Sequence, residues 1–260
     1  MKDVASERDA RGIRLDRVGI RHLHLPVRIR EKDGGYARVV GRVEASVALP
    51  EMQRGTHMSR FVAILSSWSR RPVSLDVMEE TLERIISDFS APAAHVALTF
   101  KYFLAKAAPV SGQVSQLDYD CSFWGSIKDG EFRFLVGAAV PILTLCPCSK
   151  EISDRGAHSQ RAMLSVRLNC MSGVILWLED LVPLLEAQGS CEVFALLKRA
   201  DEKLVTEKAY DNPKFVEDVV RDTILALKER PEVVGCSAEC ESIESIHNHA
   251  AYAYAEYGDI

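Results

Sequence analysis

Gly19-Ile-Arg-His-Leu-His-Leu-Pro-Val-Arg-Ile29 largely alternates apolar with polar residues, and Ala37-Arg-Val-Val-Gly-Arg-Val-Glu-Ala-Ser-Val-Ala-Leu49 does so again after the turn signal Glu31-Lys-Asp-Gly-Gly35. Alternation at period two turns one face of a strand inward and the other to water. Two such runs around a Gly-rich turn predict a hairpin of long antiparallel strands. Beyond the hairpin the period changes. Met58 to Trp68 is helical in spacing, and Ser74 is placed to cap a second helix over Leu75–Phe89, with acidic residues in its first turns where the helix dipole favours them. Strand patterns return near His95–Ala107, Val114–Ile127 and Phe132–Leu145, the last two joined through Lys128-Asp-Gly-Glu131.

The second half follows a similar order. Ser159–Asn169 reads as a strand, Trp177–Ala187 and Asn212–Lys228 as helices, and Val233–Tyr257 as a long polar-apolar alternation. Asn212-Pro213 has the form of a helix start, because Pro at the first helical position loses no hydrogen bond and Asn can cap. Two α+β modules, each with helices on one face of an antiparallel sheet, account for this order within 260 residues. The expected division is a loose leader over residues 1–12, a first module over 13–145 and a second over 146–260. Letter identity between the halves is low, so the duplication rests on the order of elements.

Composition narrows the class. Hydrophobic residues at 47% supply a buried core, and 27% charged residues with a net charge of -5 argue against a basic groove for nucleic acid. No run approaches the roughly 20 apolar residues of a membrane helix. The N-terminal residues are charged where an export signal is apolar, so the expected location is the cytoplasm and neither nucleic acid nor membrane is an expected partner. Seven cysteines, at 121, 146, 148, 170, 191, 236 and 240, are odd in number and show no disulfide framework. They read as core fillers plus metal ligands or a reactive thiol.

The strongest chemical constellation is Leu143-Thr-Leu-Cys-Pro-Cys-Ser-Lys-Glu-Ile-Ser-Asp-Arg-Gly-Ala-His-Ser-Gln-Arg161. It sets Cys146 and Cys148 after an apolar strand and His158 twelve residues beyond the first thiol. Thiolate and imidazole suit zinc and similar divalent ions, and Pro147 stiffens the turn so that the two thiols need not point the same way. Two core cysteines and an unrelated surface histidine are the alternative, and the polar, turn-rich segment between them counts against it. In Glu244-Ser-Ile-His-Asn-His249, a strand would put His247 and His249 on one face, able to bind a metal or pass protons, or to be ordinary surface histidines. Cys236 and Cys240 lack a second pair and read as structural thiols. Glu202 in Asp201-Glu-Lys203 and Glu217 in the later helix are, by type alone, solvated carboxylates. Gly55-Thr-His-Met-Ser-Arg60 joins a loop to a helix, where free N–H groups beside Arg54 and Arg60 could hold a phosphate or merely be capped. No nucleotide P-loop or dinucleotide fingerprint is present.

With Pro50-Glu-Met-Gln-Arg-Gly-Thr-His-Met-Ser-Arg-Phe61, Leu145-Cys-Pro-Cys-Ser-Lys-Glu-Ile-Ser153, Gly156-Ala-His-Ser-Gln-Arg161, Asp201-Glu-Lys203, Asn212-Pro-Lys-Phe-Val-Glu-Asp218 and Glu244-Ser-Ile-His-Asn-His249, the chain resembles the prokaryotic type IB GTP cyclohydrolase I family. The resemblance implies a bimodular tunnelling fold, assembled as a homotetramer with active sites at subunit interfaces. It implies conversion of GTP and water to formate and 7,8-dihydroneopterin triphosphate, the first step of tetrahydrofolate synthesis. Carried over by motif, Cys146, His158 and Glu202 match the family's ligands for a divalent metal, be it manganese, iron or zinc. Cys148 matches the thiol near the reacting purine, Glu217 the carboxylate that recognises guanine, and His247 and His249 the paired catalytic histidines. Arg54, Arg60 and Lys150 are candidates for the triphosphate. Ala200 departs from the pattern, since Pro often precedes Asp-Glu-Lys. Two other readings stand beside this one: a 7-cyano-7-deazaguanine reductase of the same fold, with Cys148 as nucleophile and NADPH as reductant, and a non-catalytic metal-binding protein.

Overall fold

The computed structural model describes residues 5, 7–171, 173, 174 and 176–260. Strands β1 (Leu15–Arg30) and β2 (Tyr36–Leu49) form the expected hairpin, paired antiparallel from Arg30↔Tyr36 to Leu15↔Leu49. The register slips between Ile20 and Leu23, where His22 takes φ +59°, the left-handed backbone that a bulge accommodates. Helix α1 (Met58–Leu65) continues into a tight turn at Ser66–Ser69, followed by the short strand β3 (Pro72–Val73) and helix α2 (Leu75–Phe89). Ser74 caps α2 as its sequence predicts, its Oγ accepting the Val77 N–H at 3.4 Å. Three long strands follow: β4 (Ala93–Ala107), β5 (Val114–Lys128) and β6 (Glu131–Leu145). The remaining elements are α3 (Pro147–Ile152), β7 (Ser159–Cys170), α4 (Leu178–Glu186), β8 (Cys191–Glu192), α5 (Arg199–Asp211), α6 (Val216–Lys228), β9 (Val233–Ile243) and β10 (Ala250–Gly258).

The chain packs as two compact units. One holds the residues up to Lys101 with Ser122–Leu135, the other Tyr102–Cys121 with Val136–Ile260. Strand order repeats along the sequence: β1-β2-β4-β5, then β6-β7-β9-β10. Helices α1 and α2 lie between the second and third strands of the first set, and α4, α5 and α6 occupy the same place in the second. This is the α+β organisation expected from the order of patterns. Residues 1–4 and 6 of the expected leader lie outside the described residues; further along it, the Asp9 N–H reaches the Met52 carbonyl at 2.9 Å and the Arg54 N–H the Glu7 carbonyl at 3.1 Å.

Each unit buries its own apolar face. In the first, Met78, Leu82 and Ile85 of α2 are fully buried with Trp68, Ile64 and Leu98. The helix rests on β5 at Gly125, where a Cβ would stand 2.4 Å from Met78 Cγ and 2.9 Å from Leu82 Cδ1; only glycine allows that approach. In the second, β7 and β9 bury alternate residues (Leu164, Val166, Leu168; Cys236, Ala238, Cys240), and α6 turns Val216, Val219, Val220, Thr223 and Leu227 inward. Each fully buried aliphatic side chain contributes about 1.5–3 kcal/mol of transfer free energy, so these stripes dominate the packing. A buried carboxylate, Glu186, is matched by Lys106 Nζ at 2.6 Å and Tyr119 Oη at 2.9 Å on the same oxygen.

Four local expectations are corrected. The Asn212-Pro213 helix start is displaced: Asn212 ends α5, its N–H on the Lys208 carbonyl at 3.1 Å, and α6 begins after Phe215, whose N–H is taken by the Asp218 carboxylate at 3.0 Å. The apolar pattern does not predict helix α5, because it buries only Asp201, Val205 and Ala209 and so lacks a broad apolar stripe. The Cys-Pro-Cys segment is a short helix rather than irregular loop, with Pro147 at its first position. Residues 233–257 are two strands, not one, and His247 and His249 lie in the loop between them.

Candidate active site

Strand β6 ends at Leu145 and Cys146 caps α3, its Sγ accepting the Ser149 N–H at 3.4 Å. The chain then returns to start β7 directly beside it. The Cys146 N–H bonds to the His158 carbonyl at 3.1 Å, while the Ser149 hydroxyl accepts the His158 N–H at 3.1 Å and donates to the Cys146 carbonyl at 3.2 Å. Cys146 and His158, twelve residues apart in sequence, thereby become backbone neighbours. Cys146 is half-buried and Cys148, on the first turn of α3, is exposed. The His158 ring has its Nδ1 2.9 Å from Gln160 Oε1, which leaves Nε2 as the nitrogen open to a ligand.

The elbow between α5 and α6 is fastened to this corner. The Lys214 N–H donates to the Leu145 carbonyl at 3.1 Å, the Ser190 hydroxyl accepts the Leu145 N–H at 3.2 Å, and Lys150 of α3 donates to the Tyr210 carbonyl. Glu217 sits in the first turn of α6, where the free N–H groups favour a carboxylate, and among the described residues it makes no hydrogen bond or ion pair. Asp218, one residue on, does the capping instead.

His247 and His249 are brought together although no strand carries them. Their rings stack with centroids 5.2 Å apart and planes 17° from parallel, and His247 Nε2 lies 3.5 Å from Glu244 Oε2. Both rings are exposed. Glu202 is exposed on α5, at helical spacing from the buried Val205 and Ala209, and its carboxylate is unpaired among the described residues. No cluster of three or more His, Cys, Asp or Glu side chains close enough to hold a metal ion occurs among the described residues; the pair gathered by the backbone is Cys146 with His158. Ala200 lies in the first turn of α5, where the N–H lacks an intrahelical partner, so Ala and Pro suit the same backbone.

Cys121, Cys191, Cys236 and Cys240 are buried and Cys170 is half-buried. Burial pushes the Cys240 thiol up to about 12, with the nearby Glu217 charge adding to it. Burial also raises Cys170 and Cys191 to about 11, aided by Glu232 and Glu192 respectively. Such thiols stay protonated and unreactive at neutral pH. Of the basic candidates, Arg54 pairs with Glu7, and Arg60 donates to the Asp88 carbonyl at 3.0 Å while lying over the Phe89 ring. Lys150 covers the Tyr210 ring at 4.2 Å.

Asp201 is the residue that sequence reasoning passed over. It is fully buried, and its carboxylate accepts the N–H groups of Val110 (2.7 Å), Ser111 (2.8 Å) and Lys198 (2.8 Å) together with the Ser111 hydroxyl (2.7 Å). This pins the start of α5, and Glu202 with it, to the turn between β4 and β5. An Asp at the third helical position is a capping signal that could have found it. Burial alone would raise its pKa, but the donors from Ser111, Lys198 and Val110 outweigh that and hold the carboxyl well below the usual carboxylate range. The folded chain therefore takes up this proton less readily than the unfolded chain. The stabilisation is complete above about pH 5 and fades as the pH falls through the unfolded-state value of about 3.9 toward the lower folded one. Asp201→Asn is expected to lower the thermal midpoint at pH 7 by several degrees and to leave a smaller loss between pH 5 and pH 3 than wild type shows, read by circular dichroism.

With the geometry described, comparison with known proteins gives the family. A family model described as type I GTP cyclohydrolase folE2 matches residues 1–253. The proteins named GTP cyclohydrolase FolE2 from Nitrosomonas eutropha and Thiobacillus denitrificans are 47% and 45% identical over 255 and 257 residues, covering 98% and 99% of this chain and 94% of each relative. That from Desulfosudis oleivorans is 45% identical over 261 residues, covering 100% of this chain and 99% of its own. Among solved structures, uricase from Arthrobacter globiformis superposes with a TM-score of 0.54 at 10% identity, covering 99% of this chain and 96% of that one. At that identity the likeness speaks for the fold alone, and it agrees with the tunnelling fold. Family model and full-length relatives coincide: the chain belongs to the type I GTP cyclohydrolase family of the FolE2 kind.

Proposed function

We propose that this chain opens the guanine imidazole ring of GTP, releasing formate and 7,8-dihydroneopterin triphosphate, at the corner formed by Cys146, Cys148 and His158 beside the α5–α6 elbow. The observation that carries the proposal is the backbone-locked pairing of a half-buried thiol with an imidazole whose Nε2 is open, at a corner to which the α5–α6 elbow is bonded through Lys214. A thiol and an imidazole are apt donors for Mn, Fe or Zn, and the exposed, unpaired Glu202, which this chain alone does not gather with them, is the proposed third donor of a set with an open position for water. A divalent ion held by these residues would supply Lewis-acid chemistry, lowering the pKa of a water toward neutrality.

The chain's own groups divide the remaining work. Glu217 accepts hydrogen bonds from the guanine N–H edge and fixes the base. Cys148, exposed on α3, lies at the reacting ring and assists by hydrogen bonding or proton transfer. The stacked His247 and His249, with Glu244 beside the former, pass protons to ring nitrogens as bonds break. Triphosphate contacts fall to basic side chains such as Arg54, Arg60 and Lys150. A homotetramer with interfacial sites is part of the proposal. It is supported by β10, an edge strand on which Tyr252 and Tyr254 are 71% and 52% exposed, the kind of strand that pairs with another chain. The product's use in folate synthesis belongs to the same reading.

Incubating the metal-reconstituted full chain with GTP should give one formate per GTP and a fluorescent pterin after oxidation. Oxidation of NADPH with a 7-cyano-7-deazaguanine substrate, and no formate from GTP, would favour the reductase instead. Tight GTP binding without turnover at any divalent ion would favour a non-catalytic protein.

A further inference from the structure

Behind His158 runs a chain of hydrogen bonds that the reaction does not use directly. His158 Nδ1 lies 2.9 Å from Gln160 Oε1, Gln160 Nε2 donates to Thr144 Oγ1 at 3.1 Å, and Thr144 Oγ1 lies 3.3 Å from Ser242 Oγ. Thr144 and Ser242 are 2% and 1% exposed, and Gln160 is half-buried, so the chain is anchored in the interior and ends near the outer ring. It links β7, β6 and β9, which lie in the order β9-β7-β6 in the sheet.

We propose that Gln160 is a positioning residue: by accepting the Nδ1–H of His158 it fixes the neutral imidazole in one tautomer and keeps the Nε2 lone pair facing the site. A primary amide has one acceptor end and one donor end. With its NH2 spent on Thr144, the oxygen faces His158, and an oxygen there requires the proton on Nδ1. The reverse amide orientation would aim an N–H at Nδ1, drive the proton onto Nε2 and remove the lone pair a metal needs. Thr144 Oγ1 accepts the Gln160 N–H and is itself in hydrogen-bond contact with Ser242 Oγ. A ring nitrogen tied to a fixed acceptor is the usual way a protein orients a metal-binding histidine. The inference rests on the proposed role of His158 as a ligand, but its core, the tautomer, is a property of the metal-free chain.

The test uses the full chain with 15N-labelled histidine, metal-free at pH 8, with the His158 signals assigned by their loss in His158→Gln. Nδ1–H is expected in wild type and in Gln160→Glu, which keeps the acceptor oxygen. Gln160→Ala and Thr144→Val should shift toward Nε2–H, and competition with a chromophoric chelator should show Zn2+ bound about 10–100-fold more weakly by Gln160→Ala. Nε2–H in wild type, or an unchanged tautomer in Gln160→Ala, would overturn the proposal. Wild type that shows Nδ1–H yet binds no divalent ion would instead sink the metal reading while leaving the positioning role of Gln160 intact.

Discussion

Replacing Cys146 with alanine is expected to strip the protein of the proposed divalent ion and to cut formate release from GTP by about a thousandfold or more, since an ion held there would supply the nucleophile at neutral pH. The Cys146 backbone is held at the end of β6 by its N–H bond to the His158 carbonyl, and the thiol itself accepts the Ser149 N–H at 3.4 Å. Alanine also removes the acceptor for the Ser149 N–H, and losing a cap costs about 0.5–2 kcal/mol. Cys146→Ser separates the two effects, because its oxygen can still cap α3 while binding metal poorly. Serine and alanine should therefore fail alike in metal content, and serine should fold more stably. Cys148→Ala should keep its metal and lose turnover. Full metal occupancy in Cys146→Ala would show that the ligand has been chosen wrongly.

Glu217→Gln is expected to lower kcat/KM for GTP by about 10^3–10^5, the penalty typical of a site built for hydrogen bonding that meets a mismatched partner. The substitution changes one acceptor oxygen to a donor that faces the guanine N–H groups. Folding should be untouched, because Glu217 is exposed and the cap of α6 is made by Asp218. Metal content should also be unchanged, which separates this variant from Cys146→Ala. Steady-state kinetics with GTP and with inosine triphosphate, which lacks the exocyclic amine, measures it: wild type discriminates sharply, and the variant much less. Equal kcat/KM for GTP in wild type and variant would remove Glu217 from base recognition.

The sequence made the regular elements legible wherever one face is apolar and the other wet. The β1–β2 hairpin, α2 with its Ser74 cap and the three long strands all carry clean periodicity, and each lies within a residue or two of its expected place except β1, which begins four residues early at Leu15. Periodicity failed where burial is slight. Helix α5 hides a carboxylate and two small side chains, so its pattern resembles a solvated segment, and that error moved the start of α6 by three residues from Pro213 to Val216. At the site, motifs named the residues but not their geometry. The stacking of His247 on His249 arises in a loop rather than from strand alternation, and Cys146 meets His158 through backbone bonds that spacing alone does not reveal. Gln160 was within reach, since residues i and i+2 of an extended segment share a face and it follows His158 by two. For Asp201 the sequence carries only the capping signal of an Asp at the third helical position; its partners at Val110 and Ser111 lie about ninety positions earlier and no local pattern points to them.

Anomalous diffraction from crystals of the metal-loaded full chain tests the central claim most directly. A peak is expected bonded to Cys146 Sγ, at about 2.3 Å if the ion is zinc, and to His158 Nε2 at about 2.0–2.1 Å, with His158 Nδ1 still on Gln160. A metal bound elsewhere, or one coordinated through His158 Nδ1 with neither thiol nearby, would contradict it.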